Sequence, residues 1–307
     1  MQDSGIVKQV VKIDRTNRQE ATHFALCNVS RMRYLIDLHG GKKRLSNNIS
    51  TYSNKLGLLM RFISVLPFSL LARLKLGYFV VAELHEEVEE LRQSTKKNQW
   101  NMIIGTYDEK QKVILQCFNR SGNRHGVVDK DDDAAVYMKI GNAATEEEMN
   151  TEIFFLQRKN QFTSFDIPEL LGSTRRAKGA VFNIQVTKEF TGSKVEPVLV
   201  QGIVDIYFEL SKDTKDGLAF SHGDFAPWNL KKRNNRFMLF DWEHCGYKMP
   251  GFDLMHYCVV PKLMLEGKTL SEAIEEGLCE IREFIPEFSI DKEQFILEYN
   301  KLRLEQR

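Results

Sequence analysis

Two aspartates and one asparagine in the last third of the chain have types and a spacing that suit phosphate chemistry. Asp224 is followed five residues later by Asn229, and Asp241 comes twelve residues after that. Phosphoryl transfer from ATP needs one carboxylate that orients the acceptor hydroxyl, and oxygen ligands that hold Mg²⁺ on the phosphates. Carboxylate and amide oxygens are ligands that this hard cation prefers. The three residue types therefore fit phosphoryl transfer.

The sequence between Asn229 and Asp241 predicts the element that positions them. Residues 228–232 and 236–240 are typical of strands, and Arg-Asn-Asn at 233–235 is typical of a turn. We therefore expect a β-hairpin that ends at Asp241. The alternative is an ordinary hairpin, in which the aspartates only form turns and Asn229 is a cap.

The ordered set of residues around this hairpin resembles the aminoglycoside phosphotransferase and choline kinase family, which phosphorylates hydroxyls of small molecules. His-Gly-Asp at 222–224 stands where protein kinases have His-Arg-Asp, and Asp-Trp-Glu at 241–243 stands where they have Asp-Phe-Gly. Gly246 and the pair Asp253-Leu254 extend the match. The resemblance implies an α+β, protein kinase-like bilobal fold with an antiparallel-sheet N-lobe and a mainly helical C-lobe.

The resemblance also implies a role for each matching residue. Asp224 is expected to be the catalytic base, and Asn229 and Asp241 are expected to bind Mg²⁺. His222 is expected to order the loop. Asp253 matches a buried aspartate that bonds the backbone of the catalytic loop, so its expected role is structural.

A nucleotide-binding lobe should then lie upstream. Residues 134–140 are typical of a strand and contain Lys139, which resembles the lysine that contacts the α- and β-phosphates. A helix capped by Thr145 is predicted next, and Glu152 lies beside its apolar stripe, where the family carries the glutamate that pairs with the lysine. Taken alone, Lys139 and Glu152 would each be interpreted as a solvent-exposed residue. Their order and spacing before the catalytic loop favour a functional role for both.

Two further pairs are candidate nucleotide contacts. Gly105 and Thr106 lie in a turn between two predicted strands and are candidates for phosphate binding, although an ordinary hairpin turn fits equally well. The turn lacks the Gly-x-Gly-x-x-Gly of protein kinases, as does that of the family. Thr187 and Glu189 follow another strand at a position that resembles the interlobe hinge, where backbone groups would read adenine.

The acceptor is less well defined. Glu243 and Trp242 are candidate acceptor contacts, because a cationic headgroup favours a carboxylate and an aromatic face. Packing beneath the strand is the alternative for Trp242. The residues after Asp253 are rich in glutamate, which suits a pocket for a cationic alcohol or, as the default, a solvated helical face.

The composition of the whole chain limits the classes of protein to which it can belong. Its 307 residues carry 43 Lys and Arg against 42 Asp and Glu, which leaves no electrostatic footprint for nucleic acid. Five scattered cysteines without a Cys-x-x-Cys pair are typical of reduced thiols in a cytoplasmic protein, not of a disulfide framework or a zinc site. The first thirty residues contain no apolar region typical of a signal peptide. We therefore expect a cytoplasmic protein.

The kinase resemblance does not explain the N-terminal third. We expect an extension at 1–98, consisting of a β-hairpin near residues 23–36 and an amphipathic helical segment at 56–82, then an N-lobe at 99–190 and a C-lobe at 191–307. The segment 56–82 is too interrupted by charge and proline to span a bilayer. It could lie on the inner face of a membrane, but packing on the lobes is the favoured alternative.

These patterns together predict an ATP- and Mg²⁺-dependent kinase of a small-molecule hydroxyl, such as a choline-like amino alcohol, an aminoglycoside or a sugar. One alternative is a kinase of a protein or of a lipid-linked glycan. Another is a pseudokinase that binds nucleotide as a scaffold. The presence of Lys139, Glu152, Asp224, Asn229 and Asp241 argues against the last.

Overall fold

The computed structural model describes residues 7–13, 19–28, 31–38, 66–104, 110, 112–119, 134–158, 162–177, 181–190 and 192–305. The chain divides into two compact units. The first contains Met1–Glu146 and Leu170–Glu189, and the second contains Glu147–Glu169 and Phe190–Arg307.

The first unit is mainly strand and the second mainly helix. The strands are β1 (Val7–Lys12), β2 (His23–Asn28), β3 (Arg31–Asp37), β4 (Gly77–Leu84), β5 (Gln99–Ile104), β6 (Lys112–Phe118), β7 (Val136–Gly141), β8 (Phe165–Asp166), β9 (Leu170–Ala177), β10 (Val181–Lys188), β11 (Ser193–Lys194), β12 (Thr214–Lys215), β13 (Leu218–Ser221), β14 (Leu230–Arg233), β15 (Arg236–Leu239) and β16 (Gly246–Lys248). The helices are α1 (Phe68–Arg73), α2 (Glu86–Ser94), α3 (Glu146–Leu156), α4 (Gln201–Leu210), α5 (Phe252–Pro261), α6 (Leu270–Phe284) and α7 (Lys292–Glu305).

The first unit is built on a nine-stranded sheet with the order β1-β4-β2-β3-β5-β6-β7-β10-β9. Every neighbouring pair of strands is antiparallel. One face carries the main core. Met102, Leu115, Met138 and Val186 lie opposite one another on four successive strands and are all buried. Helix α2 packs on this face through Val88.

The N-terminal extension belongs to the same sheet as the predicted nucleotide lobe. Strands β3 and β5 pair through Tyr34 and Ile103, and through Leu35 and Met102. The predicted β-hairpin is confirmed as β2 and β3. The boundary that we predicted between residues 98 and 99 therefore falls inside one sheet.

The predicted helical segment at 56–82 differs from the structure in its described part. Residues 56–65 lie outside the described ranges. Helix α1 covers only Phe68–Arg73, and Gly77–Leu84 form strand β4. The prediction of helix is wrong for β4, since its β-branched and aromatic residues fill a position between β1 and β2 in the sheet. The apolar content of a short segment does not by itself distinguish a buried strand from a buried helix.

A row of hydrogen-bonded polar side chains crosses the other face of this sheet. Asn101 accepts from the backbone N–H of Asp37 (3.0 Å) and donates to Gln116 (3.0 Å). Gln116 donates to the hydroxyl of Tyr137 (3.0 Å), which donates to the carboxylate of Glu189 (3.2 Å). Asn101 and Gln116 are fully buried. We call these four side chains the polar row.

The second unit is organised around helices α4 and α5. Helix α4 buries Ile203, Val204, Ile206 and Leu210. Helix α5 is buried along its whole length, and α6 packs on it. A helix that is buried on all sides is expected to be apolar all round. Its buried polar residues are therefore costly unless they have hydrogen-bond partners.

The predicted hairpin between Asn229 and Asp241 is confirmed as β14 and β15, with a tight turn at Asn234, whose φ is 55°. Strand β15 also pairs in parallel with β8. No helix in the described part of the chain is long and apolar enough to cross a membrane.

Candidate active site

Asp224 and Asn229 lie together in the loop between β13 and β14. The Nδ2 of Asn229 donates to the backbone carbonyl of Asp224 (2.8 Å) and to its Oδ2 (3.0 Å). The side chain of Asp224 is 18% exposed. The two residues that the sequence proposed as base and metal ligand are therefore held in one rigid turn.

The buried carboxylate of Asp253 anchors the start of this loop. It accepts from the backbone N–H groups of His222 (2.7 Å) and Gly223 (3.1 Å). Burial raises the pKa of Asp253 to about 6, although these two bonds act in the opposite direction. Asp253 comes from the first turn of α5, so a helix in the centre of the unit sets the loop position.

His222 ties the same loop to the end of β15. Its Nε2 lies 2.7 Å from the carbonyl of Phe240, and its Nδ1 lies 3.2 Å from the backbone N–H of Asp224. These partners require the tautomer with the proton on Nε2. Burial lowers the pKa of His222 to about 4, so the ring is neutral near pH 7.

Gly223 explains why the sequence has glycine where protein kinases have arginine. Its φ is 87°, in the left-handed region that favours glycine. A Cβ at this position would lie 2.0 Å from the carbonyl oxygen of His244. The loop can adopt this path only without a side chain there.

Asp241 ends the hairpin in a left-handed conformation, with φ 66° and ψ 62°. Carboxylate oxygens of Asp241, Glu152 and Glu243 all lie within 4.8 Å of one another. Glu152 is buried on α3, and one of its oxygens lies 3.4 Å from the backbone N–H of Trp242. This set contains only oxygen donors, which suits a hard divalent cation.

Trp242 packs in the interior and does not face solvent. It is fully buried, and its ring stacks on Phe155 with centroids 3.8 Å apart. Its Nε1 donates to the carbonyl of Leu239 (2.9 Å). The burial and stacking of the ring fit the packing role that was the alternative for Trp242. Glu243 remains a candidate, with its carboxylate 3.7 Å from His244.

His256 was not among the site residues predicted from the sequence. This residue lies on α5, 2% exposed, with Nδ1 3.1 Å from the carbonyl of Phe225 and Nε2 3.6 Å from Oδ1 of Asp224. Burial lowers the pKa of His256, against the opposing effect of the negative charge of Asp224. Its spacing of three residues from Asp253 in a predicted helix was an available signal, because residues three apart share one face.

Lys139 lies on β7 in the first unit, opposite Ile114 on β6 and Gln185 on β10. It points to the same face of the sheet as Tyr137, two residues before it. Glu152 belongs to the second unit. The ion pair between Lys139 and Glu152 stays a prediction.

The other nucleotide candidates divide into two groups. Gly105 and Thr106 lie outside the described residues. Thr187 is the second-to-last residue of β10 and lies opposite Tyr137. Glu189 donates its backbone N–H to the carbonyl of Ala135 (2.8 Å) and accepts from the N–H of Ala135 through its carboxylate (2.9 Å). The N–H of Glu189 is therefore engaged within the sheet.

Comparison with known proteins bears on the fold. No family model and no curated protein sequence matches the chain. Among solved structures, a thermostable mutant of aminoglycoside phosphotransferase APH(4)-Ia in its apo form is similar with a TM-score of 0.50 and 9% sequence identity, over 71% of this chain and 90% of that chain. Amicoumacin kinase hAmiN in complex with AMP-PNP, Ca²⁺ and Ami is 11% identical over 72% of this chain and 85% of that chain, with a TM-score of 0.40.

The first of these similarities establishes the architecture. An antiparallel sheet in the N-terminal unit and a mainly helical C-terminal unit were predicted from the sequence, and both are confirmed. The chain has the protein kinase-like fold found in aminoglycoside phosphotransferases.

Proposed function

We propose that this chain is an ATP- and Mg²⁺-dependent phosphotransferase whose acceptor is a hydroxyl group of a small molecule. The observation that carries the proposal is the pairing of Asp224 with Asn229 through a 3.0 Å bond, in a loop fixed by the buried carboxylate of Asp253. An ordinary turn would not need a buried carboxylate on a central helix to hold it. The kinase-like fold supports the same reaction class.

The donor groups fit a magnesium ion. Asn229 uses its Nδ2 to bond Asp224, and no group in the described part of the chain donates to its Oδ1. That oxygen and the carboxylate of Asp241 are our proposed ligands, with Glu152 and Glu243 close enough to Asp241 to contribute. When bound, Mg²⁺ would neutralise charge on the phosphates. Lys139 is our proposed contact to the α- and β-phosphates.

In the proposed reaction, Asp224 acts on the acceptor hydroxyl. Its carboxylate orients the acceptor hydroxyl and takes the proton as the new O–P bond forms, while the bond between the γ-phosphorus and the bridging oxygen breaks and ADP leaves with the electron pair. The side chain of Asp224 is 18% exposed, and its Oδ1 is not held by Asn229. Its Oδ2 is held by Asn229, which fixes the direction of the carboxylate.

The acceptor classes that we propose are choline-like amino alcohols, aminoglycosides and sugars. Glu243 lies next to the carboxylates of Asp241 and Glu152. The carboxylate of Glu243, our candidate acceptor contact, favours an acceptor that carries positive charge, as amino alcohols and aminoglycosides do. We therefore expect cationic alcohols to be better acceptors than neutral sugars.

A panel of these alcohols with ATP and Mg²⁺, followed by the mass of the product, tests the proposal. Asp224→Asn keeps the shape and removes the carboxylate charge, so turnover should fall about 100-fold or more. The affinity for ATP should stay within a few-fold, because the group acts in the transition state. Unchanged turnover in the variant would exclude Asp224 as the base. Binding of ATP without phosphorylation of any acceptor would favour the nucleotide-binding scaffold.

A further inference from the structure

Helix α5 approaches the catalytic loop with two buried polar side chains. Asp253 bonds the backbone of residues 222 and 223, as described above. His256, three residues later, contacts the next part of the loop, with Nδ1 3.1 Å from the carbonyl of Phe225. Burial of an imidazole is costly unless its polar atoms have partners. The second ring nitrogen of His256, Nε2, lies 3.6 Å from Oδ1 of Asp224.

The contact with Phe225 determines the tautomer of His256. A carbonyl oxygen only accepts, so the nitrogen beside it must carry the proton, and this nitrogen is Nδ1. In the neutral ring, Nε2 is then an acceptor. It faces Oδ1 of Asp224, which is also an acceptor when the carboxylate is ionised. At 3.6 Å the two atoms are too far apart for a hydrogen bond, and no proton lies between them until Asp224 receives one.

The groups around His256 favour this neutral state. Among its charged and titratable neighbours, Asp224 favours the protonated ring, whereas Lys248, His244 and His222 disfavour it. The rings of Phe252 and Tyr299 pack at 5.8 and 6.1 Å and exclude water from its faces. Burial of the ring disfavours its charged form further.

We propose that His256 is a positioning residue that acts through Asp224, by accepting a hydrogen bond from Oδ1 of Asp224 after this carboxylate has taken the proton of the acceptor hydroxyl. The inference rests on the proposed phosphotransferase function. In the reaction, the O–H bond of the acceptor breaks as its O–P bond forms, and the proton moves to Oδ1. A small rotation then brings Oδ1–H within bonding distance of Nε2. The bond exists only after proton transfer has begun, so it stabilises the transition state more than the ground state.

Two substitutions separate this role from support of the loop. His256→Asn places an amide N–H near the position of Nδ1, which keeps the bond to Phe225, but leaves nothing at the position of Nε2. His256→Gln places an amide oxygen near Nε2 and loses the donor to Phe225. We expect kcat to fall about tenfold in His256→Asn and to be largely restored in His256→Gln. KM for ATP should not change in either variant. A purely structural role predicts the reverse order, with His256→Gln the worse variant, and that result would overturn the inference.

A measurement independent of turnover completes the test. ¹⁵N NMR of the histidine rings in the nucleotide-free protein should show His256 as the neutral tautomer protonated on Nδ1, identified by the loss of its signals in His256→Gln. Asp224→Asn should shift the Nε2 resonance, because an amide N–H now faces that nitrogen. A ring protonated on Nε2, or charged at neutral pH, would contradict the proposal. If the tautomer is as expected but no acceptor is phosphorylated, the proposed function fails while the geometry of the pair stands.

Discussion

At the scale of single residues, Gly223 shows how strongly the catalytic loop constrains its sequence. An alanine in place of Gly223 would destabilise the loop in two separate ways. Its backbone would have to keep the left-handed φ of 87°, and its Cβ would lie 2.0 Å from the carbonyl oxygen of His244. Gly217 has a similar φ of 79° but no atom within 4 Å of an added Cβ. The two glycines therefore form a matched pair for separating backbone strain from collision.

We expect Gly223→Ala to lower the free energy of unfolding by more than the roughly 1 kcal/mol that a left-handed alanine costs, because the loop must also move away from His244. Gly217→Ala should cost only that strain. Urea unfolding of both variants measures the difference. Equal losses would show that the loop tolerates a side chain at Gly223.

Asp253 makes stability depend on pH in a direction that is unusual for a carboxylate. Burial raises its pKa to about 6 in the folded chain, while an unfolded aspartate has a pKa of about 3.9. Between these values the folded state holds a proton that the unfolded state has lost, so this residue's contribution to stability is complete below about pH 3.9 and declines as pH rises through about 6.

Asp253→Asn removes this dependence. The variant loses one of the two acceptors for the loop N–H groups, so it should be less stable than the wild type at pH 4. The difference in the free energy of unfolding between the two proteins should then shrink towards pH 7. Urea titrations at both pH values measure it. A difference that grows with pH would mean that Asp253 is stabilised in its charged form.

At the scale of elements, the polar row joins strands from both sides of the predicted boundary at residue 98. Its bonds run in one direction, from the backbone N–H of Asp37 to the carboxylate of Glu189. Such chains are strengthened by mutual polarisation in a low-dielectric interior, and each break leaves a buried polar group without its partner. The polar row therefore adds hydrogen bonds that hold the extension in the same sheet as the strands of the predicted N-lobe.

Tyr137→Phe breaks the polar row at one point and conserves volume. Gln116 loses an acceptor and Glu189 loses a donor, so the free energy of unfolding should fall by about 1–3 kcal/mol. Tyr247→Phe is the control, since its hydroxyl bonds Asp213 at the surface (2.9 Å) and its removal should cost at most about 1 kcal/mol. Similar losses in both variants would show that the row adds no stability beyond an exposed bond.

At the scale of the whole molecule, the proposed function predicts that nucleotide needs Mg²⁺ to stabilise the chain fully. A ligand that binds the folded state at 100 times its Kd adds about 2.7 kcal/mol of stability. Asp241→Asn tests the metal site without disturbing the turn, because asparagine tolerates the left-handed φ of 66° at this position.

We expect ATP with Mg²⁺ to raise the Tm of the wild type clearly, and to raise that of Asp241→Asn by far less. ATP without Mg²⁺ should have a small effect on both, since the phosphates then lack their counter-ion. Thermal unfolding monitored by circular dichroism gives the four values. Equal shifts with and without the metal, in wild type and variant, would remove Asp241 as a ligand.

The hairpin after Asn229 and the candidate residues from His222 to Asp253 could be predicted from the sequence, and the fold class followed from the family resemblance that these residues carry. The hairpin and the candidate residues depend on short spacings and on the turn at residues 233–235, which are properties of neighbouring residues. The tertiary structure was needed to show that β4 is a strand, that the extension shares a sheet with β5, β6, β7, β9 and β10, and that Trp242 is buried. It also decided that Glu152 and Glu243 lie beside Asp241 and that His256 faces Asp224. Each of these depends on contacts between distant parts of the chain, for which local periodicity holds no signal.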